Sequence, residues 1–224
     1  MNVYDVVDRL PSIEVLRDRC RALAVLELIQ GSDYAYYTYG DWGDDDAALM
    51  SNGSGDEYSI VFSDVGVFIR VFDHESEMTP YANDDHALWP GLLDGLPLQF
   101  LPYISEPAFC DEGMLNATAV LWRCIDDDRW YAGSGITFPP SQGPYDTSPD
   151  GADRLAILAD DIVDRYVDFA RDYYEIEVDR SAVAHVVAMR PLTDIVVQAL
   201  KPHADLTDVN DAVTGIGYPI SRHT

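Results

Sequence analysis

The chain has 224 residues, of which 47% are hydrophobic and 24% are charged, and this is the composition of a folded globular protein rather than a disordered one. Acidic residues outnumber basic residues by 40 to 14, which gives a formal net charge of −26. Because such a surface repels nucleic-acid phosphates and anionic lipids, we expect no nucleic-acid partner and no membrane association.

The first part of the chain predicts a helix followed by a strand. Residues 1–30 have apolar side chains at helical spacing, with Ser12 as the N-terminal cap and Gly31 as the stop signal. Residues 34–39 are aromatic and β-branched, which is typical of a strand. Residues 40–55 are rich in aspartate and glycine, and this composition predicts a loop.

The middle of the chain predicts a sheet with an irregular cover. The apolar runs 58–62 and 67–72 are separated by a short turn, so they predict a hairpin of central antiparallel strands buried on both faces. Residues 73–112 contain five prolines and several aromatic side chains, which predicts short helices and loops packed over the sheet. Residues 117–125 and 129–132 predict a second hairpin, whose turn contains three aspartates.

The last part of the chain predicts helices. Residues 138–151 are rich in proline, glycine and serine and predict a linker. A long helix is predicted from Asp150, with an apolar stripe that continues to Tyr173. Three short helices are predicted after it, with the stop signals Pro191, Pro202 and Gly215.

The order of these elements favours an α+β fold. The strands are grouped and do not alternate with helices, which indicates an antiparallel sheet. We expect about four to six strands, flanked by an N-terminal helix and a C-terminal group of helices. Residues 1–224 are expected to form one domain, and a sub-boundary, if there is one, would fall in the linker 138–151.

The excess of acidic residues has two interpretations. An acidic surface favours basic protein partners and accelerates encounter with them. The alternative is adaptation of the whole proteome of the host, because aspartate over glutamate, arginine over lysine and abundant alanine fit a GC-rich or salt-adapted organism. Net charge by itself does not separate the two.

The cysteines and the first residues indicate a reducing compartment. Cys20, Cys110 and Cys124 are an odd number without clustered spacing, which argues against a disulfide framework or a zinc site. Asp5 and Asp8 interrupt the region where a signal peptide would have a basic stretch and an apolar run. No apolar run approaches the ~20 residues needed to span a membrane. We expect a cytoplasmic protein, and the sequence leaves its oligomeric state open.

A polar group follows the second predicted central strand. Imidazole and carboxylate are ligands for divalent transition metals, and histidine with glutamate can act as a general base. His74 and Glu75 are therefore catalytic candidates, and Asp73, His74 and His86 are metal-ligand candidates. The alternative is a turn in which Asp73 and Glu75 accept hydrogen bonds from backbone amides, because neighbours on an extended chain point to opposite faces. No cofactor is predicted, although a divalent metal is compatible with these residues.

An aromatic and acidic stretch precedes the predicted hairpin. Exposed tyrosine and tryptophan with an acidic rim are typical of a protein-binding surface, whereas an aromatic core beside a wet loop would have the same sequence. The binding candidates are Tyr37, Tyr39, Trp42, Asp44, Asp45 and Asp46.

Several short segments resemble a family of uncharacterised bacterial proteins. The segments are FDHESEMTPY at 72–81, WPG at 89–91, RDYYE at 171–175, RPLT at 190–193 and GYP at 217–219. The resemblance covers roughly residues 61–219, and because no activity is established for that family it implies no catalytic residue. It gives more weight to residues 73–81.

Two functions follow as hypotheses. The first is a non-enzymatic acidic binding module, similar to an immunity protein or inhibitor, that recognises a basic partner protein. The alternative is a metal-dependent hydrolase centred on His74, Glu75 and His86. A structural or regulatory domain of a salt-adapted host, without a specific acidic partner, is the third interpretation.

Overall fold

The computed structural model of the chain describes residues 1–31, 34–82, 85–140 and 148–221. Short 3-10 helices occupy Pro80–Ala82, Leu98–Ser105, Pro107–Phe109 and Ala152–Leu155. The α-helices are α1 (Val3–Val7), α2 (Ile13–Gln30), α3 (Ala156–Ala159), α4 (Ile162–Tyr173), α5 (Arg180–Val187), α6 (Asp194–Leu200) and α7 (Leu206–Gly215). The strands are β1 (Tyr37–Trp42), β2 (Asp45–Ser51), β3 (Glu57–Phe62), β4 (Gly66–Phe72), β5 (Cys110–Asp111), β6 (Met114–Leu115), β7 (Ala119–Cys124) and β8 (Tyr131–Ala132).

Six of the described strands form one antiparallel sheet in the order β1-β2-β3-β4-β7-β8, and β5 and β6 form a separate two-stranded sheet. Consecutive strands are neighbours, and only the long segment between β4 and β7 interrupts the meander. This confirms the predicted α+β class, with α2 before the sheet and a group of helices after it. Among the described residues, none of the helices combines the length and the apolar character of a membrane-spanning segment.

The sheet separates two apolar clusters. Strand β4 is buried along its whole length because both of its faces are covered. Ile69 and Val71 face the larger cluster with α2 and the C-terminal helices, whereas Phe68 faces a smaller cluster beneath the segment that follows β4. The predicted burial of the central strands on both faces is confirmed.

Helix α2 begins and ends where the sequence predicts. The hydroxyl of Ser12 accepts a hydrogen bond from the Val15 backbone N–H, and Gly31 adopts a left-handed conformation with φ of +64° at the C-terminus. The helix packs against β1 on one side and against α5, α6 and α7 on others. It is therefore the central element between the sheet and the C-terminal helices.

Two predicted elements are corrected. The predicted loop 40–55 contains β2, which pairs with both β1 and β3 and buries Ala47, Ala48 and Met50. The predicted helix from Asp150 is interrupted: α3 ends at Ala159, and α4 starts after Asp161, whose carboxylate accepts hydrogen bonds from the first amides of α4. Aspartate competes with the helical backbone for hydrogen bonds, which explains the break.

The remaining predicted elements agree with the structure. Hairpin β7–β8 and the three C-terminal helices α5, α6 and α7 are present, and the 3-10 helices Leu98–Ser105 and Pro107–Phe109 cover one face of the sheet. Of the predicted linker 138–151, residues 141–147 lie outside the described residues, so the sub-boundary stays a prediction.

Candidate functional site

The structure corrects the placement of two predicted binding residues. Tyr37 and Tyr39 are only 7% and 9% exposed, so neither can serve as a surface anchor. Both project from β1 into the cluster beneath α2, where Tyr37 contacts the ring of Phe169 at 5.3 Å between centroids. Burial raises the pKa of both phenols well above the ordinary value. The aromatic-core interpretation holds for these two side chains.

The other predicted binding residues lie at the tip of the β1–β2 hairpin. Trp42 is partly exposed and stacks on Phe109, with 5.5 Å between centroids. Asp44 is exposed in the turn, and the Asp45 carboxylate accepts a hydrogen bond of 2.8 Å from the Tyr103 hydroxyl. The Asp46 carboxylate, at the start of β2, is partly buried. It accepts a hydrogen bond from the Tyr39 hydroxyl and lies 4.0 Å from Arg21.

Three hairpin turns place aspartates at the same edge of the sheet. In an antiparallel meander the turns β1–β2, β3–β4 and β7–β8 all fall at one end, and successive tips are two strands apart, or about 10 Å. We call this row the acidic edge. It consists of Asp41, Asp44, Asp45, Asp64, Asp126, Asp127 and Asp128, and most of these residues are exposed.

Few cations lie near the acidic edge. Arg123 donates two hydrogen bonds to the backbone carbonyl of Asp127 and so closes the β7–β8 turn. Arg129 lies over the ring of Tyr131. Arg21 and Arg17 on α2 lie over the rings of Tyr39 and Phe62. The acidic edge therefore has seven carboxylates and only a few nearby arginines, which lie over aromatic rings or bind a backbone carbonyl. Because the carboxylates outnumber these arginines, the edge has a negative charge.

A second polar group lies at the opposite end of the sheet. Asp56 directly precedes β3 and Asp73 directly follows β4, and the pairing of Glu57 with Phe72 in the hairpin brings the two aspartates side by side. With His74 they form a group whose potential ligand atoms all lie within 4.8 Å of one another. Among the described residues, no other such group of three is present.

Asp56 is the centre of this group. Its side chain is only 7% exposed. Oδ1 is 2.7 Å from Nδ1 of His74 and accepts a hydrogen bond of 3.2 Å from the His74 backbone N–H. Oδ2 accepts a hydrogen bond of 2.6 Å from the side-chain amide of Asn52 and is 2.6 Å from the Arg154 guanidinium. Both carboxylate oxygens therefore have partners within the protein.

Arg154 pairs with both carboxylates. The same guanidinium nitrogen that contacts Asp56 is 3.2 Å from Oδ2 of Asp73. Arg154 follows Gly151, which adopts φ of +70° and passes so close to Asp73 that a Cβ at position 151 would lie 2.6 Å from the Asp73 Cβ. A glycine is therefore required for the segment 148–154 to bring its arginine to the aspartates.

Opposing effects set the pKa values of the group. Burial raises the pKa of Asp56, but the hydrogen bond from His74 and the charge of Arg154 outweigh it, so the pKa is lower than usual. The same hydrogen bond raises the pKa of His74. Burial raises the pKa of Asp73, and the charge of Arg154 only partly offsets this.

Glu75 and His86 do not belong to this group. The Glu75 side chain is exposed, and its backbone N–H donates to Oδ1 of Asp73, which is the turn interpretation of these residues. His86 is exposed, has φ of +48° and lies 6.0 Å from the ring of Tyr81. Of the predicted ligand candidates Asp73, His74 and His86, the structure brings only Asp73 and His74 together, and the third member of the group is Asp56.

The geometry allows two kinds of chemistry at this end of the sheet. Two carboxylates and an imidazole are suitable ligands for a divalent transition metal. Arg154, however, already supplies a positive charge between Asp56 and Asp73. As the side chains are arranged, the group is a set of ion pairs that joins the β2–β3 turn, the end of β4 and residues 148–154.

No protein-family model, no curated protein and no solved structure matches the chain. The resemblance of the segment 72–81 to a bacterial family stays a prediction and assigns no role to His74 or Asp73.

Proposed function

We propose that the chain is a non-enzymatic binding module that recognises a basic protein partner, in the manner of an immunity protein or inhibitor. The observation that supports this proposal is the acidic edge, where aspartates from three separate turns lie in one row. A uniformly acidic surface would be enough for salt adaptation. A row assembled from separate turns is a surface that a cationic partner can recognise.

The mechanism is electrostatic steering followed by close contact. Clustered carboxylates make the local electrostatic potential more negative, and this can increase the association rate with a cationic partner by about 10- to 1000-fold at low salt. Trp42, partly exposed beside Asp44 and Asp45, supplies an aromatic contact at one end of the row. Tyr103, held by Asp45, keeps that tip attached to the sheet cover.

Capture of partners from the host lysate, identified by mass spectrometry, tests the proposal. The edge variant replaces Asp44, Asp64, Asp126 and Asp128 with asparagine; all four side chains are exposed. The control variant makes the same change at four exposed aspartates on the helices, Asp168, Asp172, Asp208 and Asp211.

The two variants have the same net charge, so a difference in binding between them reports the position of the charges; the control also removes the exposed ion pairs of Asp168 and Asp172 with Arg171. We expect a basic protein to bind the wild type and the control variant, and to bind the edge variant at least about tenfold more weakly with a smaller salt dependence. Equal loss of binding in both variants would mean that overall charge, and not the edge, attracts the partner. That result would support the salt-adaptation interpretation.

A metal-dependent hydrolase is the second candidate, and the grouping of Asp56, Asp73 and His74 within 4.8 Å favours it. It requires that a metal ion displace Arg154 from the two carboxylates. Metal analysis of protein purified from its own host tests it. A stoichiometric transition metal that is lost in His74→Ala would support this candidate, and a metal content that is the same in both proteins would argue against it.

A further inference from the structure

Two exposed leucines lie next to the acidic edge. Leu98 is 80% exposed and Leu101 is 41% exposed, both on the 3-10 helix Leu98–Ser105. Side chains three residues apart on a 3-10 helix lie one above the other, so the two leucines form a single ridge. We call it the leucine ridge.

The opposite side of the same 3-10 helix holds it on the sheet. Phe100 is fully buried, and the ring of Tyr103 stacks on Phe68 with 5.4 Å between centroids. Because these aromatics occupy the inner side, Leu98 and Leu101 are left on the outer side. The exposure of the leucines is therefore a consequence of how a well-anchored helix packs.

The leucine ridge runs along the acidic edge. The side-chain amide of Gln99 lies 3.2 Å from Sγ of Cys124, the last residue of β7, and the Tyr103 hydroxyl reaches Asp45, the first residue of β2. Between β7 and β2 there are three strand spacings, or about 14 Å. Gln99 and Tyr103 are about 8 Å apart along the 3-10 helix axis, and their side chains, which extend towards Cys124 and Asp45, cover the rest of that distance. The aspartates follow the ends of those same strands.

We infer that the leucine ridge is the apolar centre of a docking surface for an amphipathic, lysine- or arginine-rich helix of the partner protein. This inference rests on the proposed function and adds the form of the ligand. Interfaces of this kind have an apolar centre that excludes water and a charged rim that sets orientation. The ridge provides the centre, and the acidic edge beside it provides the rim.

Charge decides between a cationic partner and a second copy of the chain. Each copy has a net charge of −26 and would bring its own acidic edge to the contact. The like charges would face each other across the ridge, which is unfavourable. A helix with one leucine-rich face and flanking lysines matches both the ridge and the edge.

A pair of synthetic peptides provides the probe. Both peptides have about 14 residues and the same numbers of leucines and lysines. In one isomer the leucines lie on one helical face, and in the other they are distributed around the helix. The protein variants are Leu98→Ser with Leu101→Ser, the edge variant defined above, and a control, Ile195→Ser, which removes an 81% exposed apolar side chain on α6. Affinities are measured by fluorescence anisotropy at several salt concentrations.

The expected result is that the wild type and Ile195→Ser prefer the amphipathic isomer by about tenfold. Leu98→Ser with Leu101→Ser should lose that preference while its salt dependence stays unchanged. Equal binding of the two isomers by the wild type, or a preference that survives removal of both leucines, overturns the inference. A wild-type dimer in sedimentation that the leucine double variant dissociates would also overturn it, because the ridge would then hold a second copy.

The same measurements separate this inference from the proposed function. The edge variant should bind both peptide isomers more weakly than the wild type does. If the edge variant binds both peptides as tightly as the wild type, the proposed function fails. If the edge variant binds both peptides more weakly but the wild type does not prefer the amphipathic isomer, the proposed function is supported and the inference about the leucine ridge fails.

Discussion

Oδ1 of Asp56 and Nδ1 of His74 lie 2.7 Å apart, and the same Asp56 oxygen accepts the backbone N–H of His74. One carboxylate therefore fixes both the backbone and the ring of the histidine that follows Asp73. Because the imidazolium form donates more strongly to a carboxylate, this contact favours the protonated ring.

The titration of His74 should report this contact. We expect an NMR titration to give a pKa for His74 above the ordinary value of about 6.5, and Asp56→Asn to lower it. A folded-state pKa above the unfolded one stabilises the protein at pH values below the unfolded pKa, and this contribution is lost as pH rises through the folded pKa. The loss of stability caused by His74→Gln should therefore be largest below the unfolded pKa of about 6.5, and it should shrink as the pH rises through the higher folded-state pKa.

The control for this measurement is His203→Gln, which removes an exposed histidine from the α6–α7 connection. A stability difference between wild type and His74→Gln that stays constant across the same pH range would contradict the role of the Asp56 contact.

Removal of Arg154 should expose the metal-binding capacity of Asp56 and Asp73. Arg154→Ala leaves the buried carboxylate of Asp56 and the partly buried carboxylate of Asp73 without their shared cation. This should destabilise the protein by about 1–3 kcal/mol, less than for a fully buried pair because Arg154 is partly exposed. We expect Zn²⁺ to raise the melting temperature of Arg154→Ala more than that of the wild type.

The histidine supplies the control for this experiment. If the metal binds to the group, His74→Ala in the Arg154→Ala background should abolish the Zn²⁺ effect. An equal effect of Zn²⁺ on the wild type and on Arg154→Ala would show that the ion binds elsewhere on the acidic surface.

Local signals made most elements of the fold predictable. The Ser12 cap and Gly31 stop define α2, and the apolar runs of β3 and β4 are long enough to identify central strands. Strand β2 was missed because its apolar core of a few residues lies between aspartates and Asn52 in a stretch rich in glycine. Its pairing with β1 and β3 outweighs that local composition.

The candidate sites depended on long-range pairing, which local patterns do not contain. Asp56 is 18 residues from His74, and only the register of the β3–β4 hairpin places them together. That register was accessible from the sequence, because the hairpin itself was predicted. The position of Arg154, which is 81 residues from Asp73, could not be predicted from local patterns. The acidic edge required the strand order of the whole sheet.

The three thiols should differ in reactivity. Cys20 is buried in α2, whereas Cys110 and Cys124 are partly exposed, and all three are free. Burial raises the pKa of each thiol, most strongly for Cys20. We expect a disulfide reagent at about pH 8 to modify two thiols slowly in the native protein and the third only after unfolding. Three thiols of equal rate in the native state would contradict the packing of α2 against the sheet.

Asp150 should make the protein less stable as pH rises. Its carboxylate is fully buried and accepts hydrogen bonds from the backbone N–H groups of Val3 and Ala152, and burial raises its pKa to about 6. Between the unfolded value of about 3.9 and this value, the folded state holds the proton more tightly, so stability falls as pH rises through that range, by roughly 3 kcal/mol in total.

Urea unfolding from about pH 4.5 to about pH 6.5 measures this effect. Asp150→Asn cannot titrate, and its amide has only one acceptor oxygen for the Val3 and Ala152 amides. We therefore expect Asp150→Asn to have a lower free energy of unfolding than the wild type at about pH 4.5, and the difference between the two proteins to become smaller as the pH rises. Asp128→Asn, in an exposed turn, serves as the control. Parallel pH profiles of the free energy of unfolding for the wild type and Asp150→Asn would contradict this prediction. They would mean that the Asp150 carboxylate is ionised at both ends of the range, because the hydrogen bonds from Val3 and Ala152 fully offset the effect of burial on its pKa.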